Sequence, residues 1–156
     1  MEWLMDKKAD ENYTFVIGCG RLGANLANTL SDEGGDVLII DKNKDAFRKL
    51  SPSFGGLFIT GDALDLDVLQ GAQINKASVI VAVTNSDNTN IMVAQIAREM
   101  FQIKRVIARL YDPERECVYR EFGIDTICPA ILSAKEIDKI LSKTGLPKDG
   151  FQEEKK

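Results

Sequence analysis

The sequence contains no histidine among its 156 residues. This absence excludes Ser-His-Asp and Cys-His catalysis, together with every metal site that needs an imidazole ligand. Basic residues are in the minority, with 20 Lys and Arg against 24 Asp and Glu. Sequence-independent nucleic-acid binding requires a cationic surface, so we expect no nucleic-acid partner. We expect neither a metal site nor catalytic residues.

Cysteines and long apolar runs are also scarce. The three cysteines, Cys19, Cys117 and Cys128, form no CxxC pair, which favours reduced thiols in a cytoplasm. We expect Cys117 and Cys128 to pack in the core. Apolar runs such as 79–83 are far shorter than the ~20 residues that span a bilayer. The N-terminus carries charges where a signal peptide would be apolar, so the sequence predicts a cytoplasmic domain.

Short apolar runs alternate with helical patterns along most of the chain. The runs predict six strands, and their lack of polar alternation is typical of parallel strands covered on both faces. The strands are expected near 14–17, 37–40, 57–60, 79–83, 105–108 and 126–128. Helices are expected from Leu22 to about Gly34, around 44–50, from about 88 to 101, from Asp112, and from Ser133 to about Gly145.

The last of these helices is placed by a capping-box pattern, since Glu136 follows Ser133 by three residues. Alternating strands and helices predict an α/β fold. We expect a single Rossmann-like domain with a doubly wound, parallel six-stranded sheet in the order 3-2-1-4-5-6.

A glycine-rich segment follows the first predicted strand and opens the first helix. Gly18 permits a tight turn, Gly20 lets the backbone approach a phosphate, and Gly23 allows close packing of helix and strand. Amides at the helix N-terminus would bind the anion. The alternative is a structural turn without a ligand. The residues expected at this site are Gly18, Cys19, Gly20, Arg21, Leu22 and Gly23.

Two residues of this segment carry further hypotheses. Arg21 would project over the phosphates, or it is a solvated arginine that opposes the helix dipole. Cys19 would be a redox-sensitive thiol at a helix N-terminus, although a small residue that fits the loop is the more common reading.

Asp41 ends the second predicted strand, 18 residues after Gly23. Its carboxylate would accept hydrogen bonds from both ribose hydroxyls of an adenosine and would repel a 2′-phosphate. Lys42 stands beside it and weakens that repulsion. The alternative role of Asp41 is to cap the helix at 44–50.

The ends of the later strands supply more candidates. Asp62 and Ala63 follow strand three, where Asp62 would accept from an adenine amino group or would serve a turn. Thr84 and Asn85 follow strand four beside the switch point, as ligand contacts or as turn residues. Arg109 ends strand five and would face a phosphate.

Arg109 has a structural alternative, an ion pair with Asp112 or Glu114.

The helix over 88–101 shows two apolar ridges, which are Met92-Ile96-Met100 and Val93-Ala97-Phe101. This stripe is wider than contact with a sheet requires, so it is either buried in a monomer or part of a subunit interface.

Taken together, these segments resemble a known family. GCGRLG, Asp41, Gly61-Asp62-Ala63, VTNSDNTNIMVAQIAR, ARLYDPE and YREFGIDTICP are similar to the N-terminal RCK domain, also called the TrkA-N domain, over about 13–143. The resemblance implies a cytosolic regulatory domain of potassium channels and transporters that binds NAD, NADH, AMP, ADP or ATP. It implies phosphate contacts for Gly18, Gly20, Arg21 and Gly23, a ribose contact for Asp41, and adenine near Asp62-Ala63.

The residues and the resemblance together predict how the chain is organised. We expect an extension at 1–12, a Rossmann-type RCK N domain at 13–132, a crossover and dimerisation helix at 133–145, and a flexible tail at 146–156. No counterpart of the C-terminal RCK domain is expected. The chain would therefore act with a separate chain that carries one, or alone as a nucleotide sensor.

The sequence thus favours a non-enzymatic sensor. It would bind a nucleotide, form a homodimer or a higher oligomer, and act on a membrane potassium transporter or channel subunit from the inner face of the membrane. The alternatives are a small NAD(H)-dependent oxidoreductase and a ligand-free adaptor with an empty cleft.

Overall fold

A computed structural model describes residues 13–143. The expectations for 1–12, for 146–156 and for a helix end near Gly145 lie outside the described residues. The strands are β1 (Tyr13–Ile17), β2 (Asp36–Asp41), β3 (Leu57–Thr60), β4 (Val79–Ala82), β5 (Arg105–Arg109) and β6 (Asp125–Ile127). The α-helices are α1 (Arg21–Asp32), α2 (Leu66–Gly71), α3 (Asp87–Glu99), α4 (Glu116–Glu121) and α5 (Pro129–Lys143).

The six strands form one sheet in which every neighbouring pair is parallel. Their order is β3-β2-β1-β4-β5-β6, as the sequence predicts. The chain runs outward in one direction from β1 to β3 and then returns to the centre to begin β4. The carboxyl ends of β1 and β4 therefore form the switch point where ligands bind in such sheets.

Both faces of the central strands are buried, which explains their continuous apolar runs. Phe15 and Ile17 of β1 join one core cluster, and Val16 joins the other. Successive side chains of a strand point to opposite faces, so β1 serves both clusters. The α1 helix covers the face of Val16 with Ala24 and Ala27.

The α3 helix buries one of its two apolar ridges. Val93 and Ala97 are fully buried in the cluster that contains Phe15. Met92 and Met100 are 50% and 57% exposed. One ridge therefore packs on the sheet, whereas the other exposes its two methionines and has Ile96 partly buried against the same cluster.

Sequence patterns missed the short elements between β3 and β4. Asp65 caps α2 by accepting a hydrogen bond from the Asp67 amide at 2.9 Å, and a 3₁₀ helix covers Ile74–Lys76. Both are too short to show a helical apolar repeat. The helix expected at 44–50 is a 3₁₀ helix over Lys44–Lys49.

The predicted start of the last helix is wrong. The α5 helix begins at Pro129, and the amide of Leu132 already donates to the carbonyl of Cys128 at 3.1 Å. Proline is favoured in a first helical turn, where its missing N–H costs nothing. Ser133 therefore lies inside the helix, and the pattern that it forms with Glu136 caps nothing.

None of the helices in residues 13–143 combines the length and apolar character needed to cross a bilayer. In the same range, no group of three acidic or cysteine side chains is arranged to hold a metal ion.

Candidate functional site

A cleft of about 690 Å³ opens at the carboxyl edge of the sheet, over the switch point. The structure brings twelve of the thirteen predicted site residues to its wall. They are Gly18, Cys19, Gly20, Arg21, Leu22, Asp41, Lys42, Asp62, Ala63, Thr84, Asn85 and Arg109. Gly23 does not line the cleft, because it packs against the backbone of Gly18.

The three glycines of the motif differ in the space around their Cα atoms. Gly18 has a φ of +103°, and a Cβ there would lie 2.9 Å from the Thr84 amide nitrogen. A Cβ on Gly23 would overlap the Gly18 carbonyl oxygen, whereas a Cβ on Gly20 would meet nothing within 4 Å. Gly18 and Gly23 therefore serve the fold, and Gly20 leaves open space at the cleft.

The N-terminus of α1 has no side-chain cap. Its N-cap residue is Gly20, and no acidic residue stands in its first turn. The first backbone hydrogen bond of the helix runs from the Ala24 amide to the Gly20 carbonyl at 2.9 Å. The amides before Ala24 lack intrahelical acceptors, which makes this end suited to an anion.

Asp41 ties the end of β2 to the glycine loop. Its Oδ2 accepts a hydrogen bond from the Cys19 amide at 2.7 Å, and its Oδ1 accepts one from the Asn43 amide at 2.8 Å. Asn43 caps the following 3₁₀ helix, so the capping role considered for Asp41 is wrong. Each carboxylate oxygen retains a second lone pair that can accept a hydroxyl proton.

Asp62 performs the turn role and also forms an ion pair. Its Oδ1 accepts from the Leu64 amide at 2.9 Å, and its Oδ2 lies 3.2 Å from the Lys42 ammonium. The Leu64 hydrogen bond, with help from Lys42, holds the pKa of Asp62 below its ordinary value. Asp62 is therefore ionised and remains an acceptor at the cleft, beside the buried Ala63.

Arg109 makes contacts that differ from its predicted ion pair. Its Nη2 donates to the Thr84 carbonyl at 2.6 Å, and its guanidinium carbon lies 4.9 Å from the centre of the Tyr111 ring. Asp112 instead pairs with Arg115 at 3.6 Å. The structure therefore gives no support to an Arg109 pair with Asp112 or Glu114 within the described range.

Cys19 is fully buried, and its Sγ donates to the Ala46 carbonyl at 3.4 Å. Burial raises the pKa of its thiol, and the nearby Asp41 carboxylate raises it further. Both effects disfavour the thiolate, so the geometry favours a small residue that fits the loop over a redox sensor. The expectation that Cys117 packs in the core is wrong, since it is exposed on α4, and Cys128 is only half-buried.

Sequence reasoning missed several residues of the cleft. Lys49 and Tyr111 line its wall, and Asn90 lies fully buried behind it. Lysines are common on exposed surfaces, and an asparagine inside a helix suggests a solvated face. Only the spatial arrangement distinguishes these three from ordinary surface residues.

The cleft is positively charged although the chain has a net charge of −4. Arg21, Lys42, Lys49 and Arg109 line it, opposed by Asp41 and Asp62. Lys42 is paired with Asp62, which leaves three cations for one carboxylate. Such a wall favours a ligand with several negative charges.

The TrkA-N domain model matches residues 14–129. The chain belongs to the TrkA-N domain family. The matched residues include the glycine-rich segment and all of the six-stranded sheet except Tyr13, the first residue of β1.

Two curated relatives of this TrkA-N chain are potassium uptake proteins. It is 42% identical over 130 residues to the Trk system potassium uptake protein TrkA of Streptomyces coelicolor, covering 83% of this chain and 58% of that protein. It is 32% identical over 132 residues to the TrkA homolog of Methanothermobacter thermautotrophicus, covering 84% of this chain and 61% of that protein. The chain thus spans about 60% of the length of these relatives.

Solved structures with the same fold include the GsuK channel bound to NAD. The two chains share 27% identity and a TM-score of 0.74, over 87% of this TrkA-N chain and 24% of GsuK. GsuK bound to ADP gives a TM-score of 0.72 at 27% identity, over 88% and 35%. An NAD(P)-binding domain from Archaeoglobus fulgidus, at 20% identity and a TM-score of 0.72, matches over 85% of this chain and 98% of its own, and it shows the fold alone.

Proposed function

We propose that this chain is a cytoplasmic nucleotide-binding regulatory subunit or domain of a potassium transport system. The observation that carries the proposal is the uncapped N-terminus of α1, which opens into a cation-rich cleft at the switch point of the sheet. Two curated relatives named as potassium uptake proteins supply the transport context.

The proposed ligand is NAD, NADH or an adenine nucleotide (AMP, ADP or ATP). GsuK, which shares the fold at 27% identity, has been solved with NAD and with ADP. In this chain the α1 amides and Gly20 would hold a phosphate, Asp41 would bind the ribose, and Asp62 and Ala63 would lie by the adenine. Arg21 and Arg109 would meet further phosphates, because each added phosphate changes the charge that faces them.

The cleft offers little for catalysis. The sequence has no histidine. It also has no Tyr-x-x-x-Lys pair, because the residue four positions after Tyr111 is Arg115 and the residue four positions after Tyr119 is Gly123. Burial raises the pKa of Tyr119, which makes proton transfer from it harder. These features favour a sensor over a small NAD(H)-dependent oxidoreductase, and the cation-rich wall disfavours an adaptor with an empty cleft.

A sensor needs a second arrangement that its ligand favours. We propose that the chain forms a homodimer or a higher oligomer whose arrangement depends on the nucleotide, since a ligand shifts an equilibrium only by its difference in affinity for the two states. The partner would be a membrane potassium transporter or channel subunit at the inner face of the membrane. Contact would be direct or through a separate chain of the C-terminal RCK type.

A thermal-shift panel on nucleotide-stripped protein tests the binding part of this proposal. AMP, ADP, ATP, NAD⁺, NADH and NADPH would be compared on the wild type, on Asp41→Ala and on Asp45→Ala. A ligand at a hundred times its dissociation constant stabilises the folded state by about 2.7 kcal/mol, which a melting curve detects. Asp45→Ala is the matched control, because Asp45 is exposed and its carboxylate pairs with Arg48 on the surface at 3.5 Å.

We expect adenine nucleotides to raise the Tm of the wild type and of Asp45→Ala. Asp41→Ala should lose at least about 1 kcal/mol of binding, the value of a charge-assisted hydrogen bond. If no nucleotide raises the Tm of the wild type, the hypothesis of a ligand-free adaptor replaces that of a sensor. If Asp41→Ala binds as the wild type does, Asp41 has no part in the site.

A further inference from the structure

Asn90 is a fully buried polar side chain in the second turn of α3, behind the wall of the cleft. Among residues 13–143, the other polar and charged residues are all at least partly exposed. A buried amide is costly unless its polar atoms find partners. Its contacts therefore indicate what it does for the cleft.

Asn90 uses its full hydrogen-bonding capacity. Its Oδ1 accepts from the Thr84 amide at 2.9 Å and from the Thr84 hydroxyl at 2.7 Å. Its Nδ2 donates to the carbonyls of Thr84 at 3.1 Å and Arg109 at 3.0 Å. An asparagine amide has two lone pairs and two hydrogens, so all four are engaged. A flipped amide would set Oδ1 against two carbonyl oxygens, so only one orientation fits.

These bonds converge on Arg109. The Nη2 of Arg109 donates at 2.6 Å to the Thr84 carbonyl that also accepts from Asn90. Asn90 thus fixes both the backbone that carries Arg109 and the acceptor that orients its guanidinium. The Arg109 Nε is buried and has no hydrogen-bond partner. A side chain free to turn would hydrate this group, so the surroundings impose the orientation.

We propose that Asn90 is a positioning residue for Arg109. It holds the guanidinium at the β5 end of the cleft, where Arg109 meets the phosphates of a bound nucleotide, and the preference for phosphate number depends on it. This inference rests on the proposed function, since it takes a nucleotide as the ligand. A merely structural Asn90 would stabilise the fold and leave the preference between nucleotides unchanged.

Calorimetric titration with ADP and with AMP separates the two roles. The proteins would be the wild type, Asn90→Ala, Arg109→Gln, the double variant and Val93→Ala. Val93 is the matched control because it is fully buried on the same helix and makes no side-chain hydrogen bond to Thr84 or Arg109. Its truncation should lower stability through the cavity that it leaves.

We expect the wild type to bind ADP at least about tenfold more tightly than AMP, the effect of one charge-assisted hydrogen bond. Arg109→Gln should bring the ratio of ADP affinity to AMP affinity close to one, and Asn90→Ala should reduce this ratio several-fold. The double variant should fall no further than Arg109→Gln, because the two residues act through one group. Val93→Ala should keep the wild-type ratio despite a lower Tm.

Three results would contradict the inference. A wild-type ratio in Asn90→Ala overturns the positioning role while the proposed function stands. Nucleotide binding with equal affinity for ADP and AMP overturns it as well. Failure of the wild type to bind any nucleotide overturns the proposed function and this inference with it.

Two further measurements cover an Asn90→Ala that does not fold. Asn90→Asp has nearly the same shape and keeps the acceptor for Thr84 but loses both donors, so it should show the same loss of ratio. In the wild type, NMR should find slow solvent exchange of the Arg109 Nε proton, because that atom is buried. Exchange as fast as that of an exposed arginine such as Arg48 would refute the imposed orientation.

Discussion

Gly20 and Gly23 stand three residues apart, Gly20 as the N-cap of α1 and Gly23 in its first turn, yet their surroundings differ. Gly23 packs against the Gly18 carbonyl, whereas Gly20 faces open space. The backbone of Gly20 is extended, with φ −78° and ψ −167°, which any residue can adopt. The same motif therefore contains one position required by the fold and one left free for a ligand.

Alanine at each position should separate folding from binding. Gly23→Ala should destabilise the protein by about 1–3 kcal/mol, the usual cost of forcing a methyl group into packed structure. Gly20→Ala should unfold as the wild type does and bind adenine nucleotides more weakly, because its methyl group enters the approach to the phosphate. Urea unfolding and calorimetry measure the two effects. A Gly20→Ala variant with wild-type affinity would place the phosphate elsewhere.

The three cysteines should differ in reactivity. Cys19 is buried and its pKa is raised, while Cys117 is exposed. In native protein, we expect iodoacetamide to modify Cys117 first and Cys19 only after unfolding, since alkylation needs an accessible thiolate. Peptide mass spectrometry over time would show the order, with Cys117→Ser as the control. Rapid native labelling of Cys19 would contradict the burial and revive the redox reading.

At the scale of elements, the first turn of α3 is hydrogen-bonded to the connection that follows β5. Asp87 accepts from the amides of Tyr111 at 2.8 Å and Asp112 at 3.1 Å. Arg115 adds a hydrogen bond to Asn88 at 2.9 Å. The segment that follows β5 at the edge of the cleft is therefore held by α3 as well as by the pairing of β5 in the sheet.

Removing these hydrogen bonds should lower stability. Asp87→Ala leaves two backbone amides without their carboxylate acceptor, so we expect a loss of about 1–3 kcal/mol in urea unfolding. Asp67→Ala is the matched control, since Asp67 also stands in the first turn of a helix, with its side chain exposed. An equal and small effect in both variants would mean that Asp87 acts only on the helix dipole.

At the scale of the whole molecule, α5 differs from the other helices. None of its residues is buried, and Leu132, Ile137 and Ile140 are between 54% and 57% exposed. A helix with an open apolar face gains free energy by covering it. The proposed subunit contact therefore has its most direct support here, with the exposed Met92 and Met100 of α3 as a second candidate.

Charges on this face should oppose assembly. We expect Ile137→Glu combined with Ile140→Glu to shift the chain towards monomer in sedimentation velocity, because burying a carboxylate in an apolar interface is costly. Ser142→Glu is the control, since it adds a charge to the same helix on a different side. A double variant that sediments as the wild type does would remove α5 from the interface.

Sequence patterns determined the architecture to a large extent. Continuous apolar runs in β1, β2 and β4 indicated strands buried on both faces, and the glycine motif with Asp41 indicated the switch-point cleft. These predictions succeed because local backbone conformation and the period of burial are written directly in neighbouring residues. The early start of α5 was missed because a cap-like Ser133 and Glu136 imitate a helix start that Pro129 already supplies.

Only the tertiary structure decided which polar residues work together. Asn90 meets Thr84 and Arg109 because the ends of β4 and β5 are neighbours in the sheet. Lys49 lines the cleft together with Ala46 of the same 3₁₀ helix. The exposure of Cys117 and of α5 is likewise a property of packing. Such contacts join residues distant in sequence, so no local pattern encodes them, whereas the strands and the glycine loop depend on neighbours in the chain.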